Sequence, residues 1–250
     1  MEEEMIDGNK GLGGIILRIS GIDAANKFVK DKFPNCDIAF LAGSVSRGEE
    51  TVTSDLDIVI FDSSIVSNYR ESFVLYNWKI EAFIHNYSSY LKQFEIDKET
   101  GRPILANMLA EGKIIRDNGK SQEIKDNAIT FIKSGPKPLT EDFIRASRYF
   151  IYDLLDDFQD SKNYSEAIMT LNTISTELAD FILRVNRQWS GRGKGLARSL
   201  NKFDKRIYNE LFECLERYYK NGDKQPFIKF VNDFYEPFGG PLFDGFSQGK

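Results

Sequence analysis

The sequence predicts an α+β chain, with a mixed β-sheet and flanking helices over residues 1–137 and an all-α helical bundle over 138–250. Three observations carry that prediction. Between residues 37 and 85 apolar side chains either run together or alternate with period two, as strands require. Beyond about residue 140 they recur at three- and four-residue spacing, as on helices. Between the two regions SGPKPLT, residues 134–140, supplies Gly, two prolines and a Thr suited to N-capping, which marks a boundary.

In chain order, DAANKFVKDKF (23–33) carries helical spacing and stops before Pro34. CDIAFLAGS is a near-continuous apolar run ending at Gly43, as a buried strand would. DLDIVIF follows, with Asp55, Asp57, Val59 and Phe61 on one face and Leu56, Ile58 and Ile60 on the other. ESFVLY and KIEAFIH flank Asn77-Trp78 and read as a hairpin, and the second places Lys79, Glu81, Phe83 and His85 on one face. From about 88 the period is helical. Past the boundary four helices are expected, at 141–159, 164–188, 206–220 and 226–236, which suits a bundle.

The 250 residues are 41% hydrophobic and 13% aromatic, enough for a packed core without covalent staples. A net charge of −5 argues against a protein that coats long nucleic acid by neutralising phosphates. Cys36 and Cys214 are too few and too far apart in sequence for a disulfide framework or a paired-metal motif. The start is acidic where a secretory signal would be basic, and no apolar run reaches the roughly 20 residues a membrane span needs, so a cytoplasmic protein is expected. A single histidine, His85, excludes a histidine metal cluster and leaves no support for a Ser-His-Asp triad. GNKGLGG (8–14) is no P-loop, because it lacks the Lys-Ser/Thr pair.

Asp55 and Asp57 are the anomaly. On a strand, two acids at i and i+2 point the same way with roots roughly 6.6 Å apart. Among apolar neighbours they cost several kcal/mol per ion unless a cation or donors compensate. Hard oxygen ligands select Mg²⁺ or Mn²⁺, and Mg²⁺ fills its remaining positions with water and phosphate oxygens. Gly43 ends the preceding strand where backbone amides can approach a phosphate, and the Ser44 hydroxyl can add a hydrogen bond.

Gly43-Ser44, ten intervening residues, Asp55-Leu56-Asp57 and Glu81 on a later strand together resemble the signature of the DNA polymerase β-like nucleotidyltransferase superfamily. Arg47-Gly48 and Thr53-Ser54 resemble its bacterial small-molecule branch, which includes aminoglycoside nucleotidyltransferases. The resemblance covers about residues 37–85. It implies two metal ions on Asp55 and Asp57, terminal phosphates held by Gly43 and Ser44, and in-line attack on the α-phosphorus of ATP or another nucleoside triphosphate with release of pyrophosphate. Glu81 would either complete the metal site or act as general base on the acceptor hydroxyl. Arg47 would contact the triphosphate, or else pair with Glu49 or Glu50.

The helical half separates its charges. Nine acids stand against three basic residues over 141–180, and eight basic residues against Asp204 over 184–206. Asp153, Asp156, Asp157 and Asp160 form one helical stripe, read opposite Phe143, Phe150 and Ile151. The stripe could pack against the basic segment, hold a cationic acceptor through Asp153 and Asp157, or face solvent. The basic segment, with Trp189 and glycines at 191, 193 and 195, reads as a mobile connection between helices, either able to grip phosphate or a base or simply a helix-linking loop with solvated charge. The leading functional expectation is AMP transfer from ATP to a hydroxyl of a small, aminoglycoside-like molecule. Transfer to a protein or RNA and a catalytically idle nucleotide-binding module are the alternatives. QPFIKFVNDFYEPF offers apolar side chains for a homodimer.

Overall fold

The computed structural model describes residues 18–249, and GNKGLGG lies outside them. By contact the described residues divide into two compact units: residues 18–90 with Met108–Lys125, and Leu91–Asn107 with residues 126–249. The elements confirm an α+β chain with a mixed five-stranded sheet, flanking helices and a helical region.

The first unit opens with α1, Gly21–Lys32, capped by Ser20, whose hydroxyl accepts from the Asp23 amide. β1, Ile38–Ala42, is buried at every position. A five-residue helix, α2, Gly43–Arg47, occupies what reads from sequence as a turn. β2 (Leu56–Phe61), β3 (Tyr69–Leu75), β4 (Trp78–His85) and β5 (Lys113–Arg116) complete the sheet in the order β3-β4-β2-β1-β5. β2 runs parallel to β4, and the other pairings are antiparallel.

Alternation along these strands decides what faces what. Leu56, Ile58 and Ile60 of β2 join Ile80, Ala82 and Ile84 of β4 and Ala24, Phe28 and Val29 of α1 in one apolar core. Burying each large aliphatic side chain contributes about 1.5–3 kcal/mol, so a one-residue slip of β2 would be heavily penalised. That penalty fixes Asp57 and Glu81 on the opposite face.

The β3–β4 hairpin turns at Tyr76-Asn77, one residue earlier than the sequence pattern suggests. Leu75 pairs with Trp78, and both turn residues have positive φ, 55° and 61°, the geometry of a type I′ turn. Tyr is an unusual residue there, and its hydroxyl is anchored on Asp31 Oδ2 at 2.7 Å. β5 falls in a stretch whose sequence period reads as helical throughout.

In the helical unit, α6 (Glu141–Asp160) starts at Thr140, whose hydroxyl accepts from the Phe143 amide as the boundary segment predicts. α7 (Tyr164–Val185), α8 (Lys194–Phe203), α9 (Lys205–Asn221) and α10 (Gln225–Tyr235) follow. α3 (Ser89–Thr100), α4 (Ile104–Glu111) and α5 (Ser121–Ser134) precede them in the chain. The core shared by α6–α10 takes Leu155 and Phe158 from α6, Leu171, Ile174, Leu178 and Phe181 from α7, Leu200 from α8, Leu211 and Tyr218 from α9, and Phe227, Val231 and Tyr235 from α10.

Three expectations change here. The supposed mobile segment contains α8, which buries Leu196 and Leu200 despite the glycines at 191, 193 and 195. Arg184 is itself buried, and its guanidinium donates to the Thr100 and Glu99 carbonyls at the end of α3 at 2.8 and 3.0 Å. Phe143 and Phe150 stay half exposed, so the inward face of α6 is Ile151, Tyr152, Leu155 and Phe158. Much of QPFIKFVNDFYEPF is spent on this unit's own core, including Phe227, Phe230 and Tyr235, so those side chains are not offered to a second copy.

Candidate functional site

β2 and β4 run parallel with Asp57 directly opposite Glu81, and Asp55 sits one residue before β2 begins. Each carboxylate contributes an oxygen to a cluster whose members lie within 4.8 Å of one another. All three residues are partly buried. The structure therefore brings together the three acids singled out from sequence.

Charge crowding at Asp57 is severe. Its carboxyl is pushed up from 3.8 to about 6, first by burial, then by the charges of Asp55 and Glu81, with Arg70 and Arg47 pulling the other way. A set of hard oxygen donors with this much crowded negative charge, only partly offset by nearby arginines, fits a divalent cation such as Mg²⁺ or Mn²⁺.

Gly43 abuts the cluster. It follows Ala42, the β1 partner of Asp57, and has φ +72°, and a β-carbon placed on it would stand 2.2 Å from Asp57 Oδ2. Only glycine fits that close approach. The hydroxyl-rich loop before Asp55 is ordered by its own side chains: Ser54 Oγ accepts from the Thr51 amide at 2.8 Å and from Ser44 Oγ at 3.2 Å. Arg18 clamps the same loop, donating to the Val52 and Ser54 carbonyls at 3.0 and 2.7 Å while its guanidinium lies over the Trp78 ring.

Arg47 lies at the end of α2 and pairs with Glu49 at 3.0 Å and Glu111 at 3.1 Å. A triphosphate contact from Arg47 would require exchanging those partners. Arg70 on β3 was not singled out from sequence, yet it forms an ion pair with Glu81 and lies over the Phe83 ring at 4.8 Å. Ser72 pairs with Glu81 and Arg70 with Phe83, so Arg70 is diagonal to Glu81 on the same face. That relation becomes visible only once the hairpin turn is placed at Tyr76-Asn77.

Asp153 and Asp157 lie on the exposed face of α6 in the helical unit. Among the described residues no ion pair joins the acidic stripe to the basic 184–206 segment. The buried His85 makes an Nδ1 contact with Ser89 Oγ at 3.2 Å near the Phe61 and Tyr87 rings. Burial pushes it from 6.5 down to about 4. As pH falls from 6.5 the unfolded chain takes up the proton first, so His85 withdraws stability progressively between pH 6.5 and 4. Replacing it with Phe should flatten the loss of stability over that window by about 2 kcal/mol. Urea unfolding midpoints at half-unit pH steps would show this, and identical slopes for both proteins would refute it.

The mixed sheet thus carries three neighbouring carboxylates beside Gly43 and Ser44 at the start of α2. Residues 22–129 match the family model described as a nucleotidyltransferase domain. A solved structure of a nucleotidyltransferase-like protein from Exiguobacterium sibiricum 255-15 is similar at 11% identity and a TM-score of 0.45, over 84% of this chain and 71% of that one. No curated protein matches the chain. Among the described residues no helix is long and apolar enough to cross a membrane.

Proposed function

We propose that this chain is a metal-dependent nucleotidyltransferase that moves a nucleoside monophosphate, AMP from ATP, onto a hydroxyl of a small aminoglycoside-like molecule. The observation that carries the reading is the Asp55–Asp57–Glu81 cluster with Gly43 packed against Asp57. Asp55, Asp57 and Glu81 would hold Mg²⁺ or Mn²⁺, which when bound supplies positive charge to phosphate oxygens during transfer. Gly43 and Ser44 orient the terminal phosphates, and Arg47 adds charge there once released from its acidic partners.

The acceptor oxygen bonds to the α-phosphorus, the bond from that phosphorus to the bridging oxygen breaks, and pyrophosphate leaves. The hydroxyl proton goes to a carboxylate, for which Glu81 is our choice. Arg70 orients Glu81 through their ion pair. Residues 1–137 form the catalytic domain in this reading, and 138–250 bind the acceptor, with Asp153 and Asp157 facing its amino groups.

The test is pyrophosphate release and product mass with Mg²⁺ and each nucleoside triphosphate across a panel of hydroxylated amines, peptides and RNA. Transfer to an amino sugar supports the reading. Transfer to peptide or RNA alone overturns the acceptor assignment, and no transfer to anything overturns the activity. Replacing Asp153 and Asp157 with Asn should raise the acceptor KM about tenfold, as loss of about 1.4 kcal/mol would, and leave the nucleotide KM unchanged. An unchanged acceptor KM would return the stripe to solvent.

A further inference from the structure

A cavity of about 240 Å³ in the helical unit lies among α6, α10 and the C-terminal segment, with Tyr149, Tyr152, Asp153, Asp156, Asn232 and Phe243 in its wall. That volume is below the roughly 300–1,000 Å³ of drug-sized pockets and suits a small ligand. No lysine or arginine lines it. Among the described residues neither Asp153 nor Asp156 has an ion-pair partner. Arg148, the nearby cation on α6, is committed to the Gly239, Gly240 and Pro241 carbonyls, contacts that fasten the segment closing the cavity.

A second, independent observation is Tyr152. The residue is 7% exposed, it lines this cavity and the adjoining one, and its hydroxyl has no hydrogen-bond partner. A buried hydroxyl left unpaired costs about 1–3 kcal/mol, which a ligand bearing a donor would recover. Phe243, beside the two acids, is 81% exposed, a large apolar ring left in water.

We propose that this cavity binds a primary organic ammonium ion carrying an apolar body. Asp153 and Asp156 accept two of its N–H groups, Tyr152 Oη accepts the third, and the rings of Tyr149 and Phe243 cover the body. This deepens the acceptor assignment by replacing Asp157, which does not line the cavity, with Asp156 and Tyr152. The binding itself does not depend on the transfer reading.

The experiment is an NMR titration of the metal-free, nucleotide-free chain with 2-phenylethylammonium, with 2-phenylethanol as its uncharged counterpart. Saturable binding of the ammonium is expected, at least about tenfold tighter than the alcohol, as one charge-assisted hydrogen bond supplies. Asp153→Asn/Asp156→Asn should abolish that preference. Both acids are exposed and repel each other along the helix, so this variant keeps its fold. Tyr152→Phe should weaken the ammonium about threefold or more with an unchanged or higher Tm, because it removes an unpaired hydroxyl. Equal binding of ammonium and alcohol, or binding indifferent to all three substitutions, overturns the proposal. Label transfer from Mg-ATP to amino alcohols then separates the two readings: binding without transfer keeps the site and removes only its acceptor role.

Discussion

Asp57→Asn should lower nucleotidyl transfer by about 10³-fold, the equivalent of about 4 kcal/mol of lost charge stabilisation, and at the same time make the metal-free chain more stable at pH 8. The two effects have one origin. Three carboxylates with oxygens within 4.8 Å suit a divalent cation and oppose folding without one. The folded-state value of about 6 for Asp57 lies above the ordinary 3.8, so between them the folded chain holds a proton the unfolded chain has released. The penalty is absent below pH 4, grows as pH rises toward 6 and is complete above it. Asparagine removes it, and a gain of about 1–2 kcal/mol is expected at pH 8 after allowing for solvent screening. Urea unfolding at pH 8 and pH 4 in the presence of EDTA checks this. The variant should be more stable only at the higher pH, and a loss of stability at pH 8 would contradict the crowding argument.

Gly43→Ala carries the second large effect, and it acts by a different route. The new methyl would sit 2.2 Å from Asp57 Oδ2 on a backbone at φ +72°. Either the carboxylate swings away or the start of α2 moves, and the left-handed backbone adds about 1–2 kcal/mol of strain. A shift of about 1 Å in a reacting constellation can cost about 10²-fold in rate. The expected result is a loss of that order in kcat, with Mg²⁺ half-saturation moved upward and circular dichroism unchanged. Ser44→Ala is the comparison: it deletes a hydroxyl assigned to phosphate and to Ser54 but makes no clash with Asp57, so its Mg²⁺ half-saturation should move less than that of Gly43→Ala. Wild-type metal dependence in Gly43→Ala would show that the close approach has no functional weight.

The acidic centre was legible in the sequence because strand alternation is rigid. Once Leu56, Ile58 and Ile60 are read as core, Asp57 must face away from it, and the same logic places Glu81 on β4. What the pattern could not supply is pairing. Arg70 reaches Glu81 only through the β3–β4 register, which depends on a two-residue turn with positive φ at Tyr76 and Asn77, residues that do not advertise such a turn.

Short elements escaped for a related reason. β5 has four residues, too few to show a period, and it exists because β1 offers it an edge. α8 begins among glycines that weaken any local helical signal, and burial of Leu196 and Leu200 overrides them. On α6, four aspartates are plain in the sequence, whereas the cavity beside two of them is built from α10 and the C-terminal segment.

In the proposed reading Asp55, Asp57 and Glu81 form a divalent-metal site that works together with a bound nucleoside triphosphate. Mn²⁺ titration followed by electron paramagnetic resonance, with and without a non-hydrolysable ATP analogue, reads that site out. Saturable Mn²⁺ binding by the wild-type chain is expected, strengthened by the analogue beyond what the analogue binds alone, and lost in Asp57→Asn. Equal Mn²⁺ binding by wild type and Asp57→Asn would contradict it.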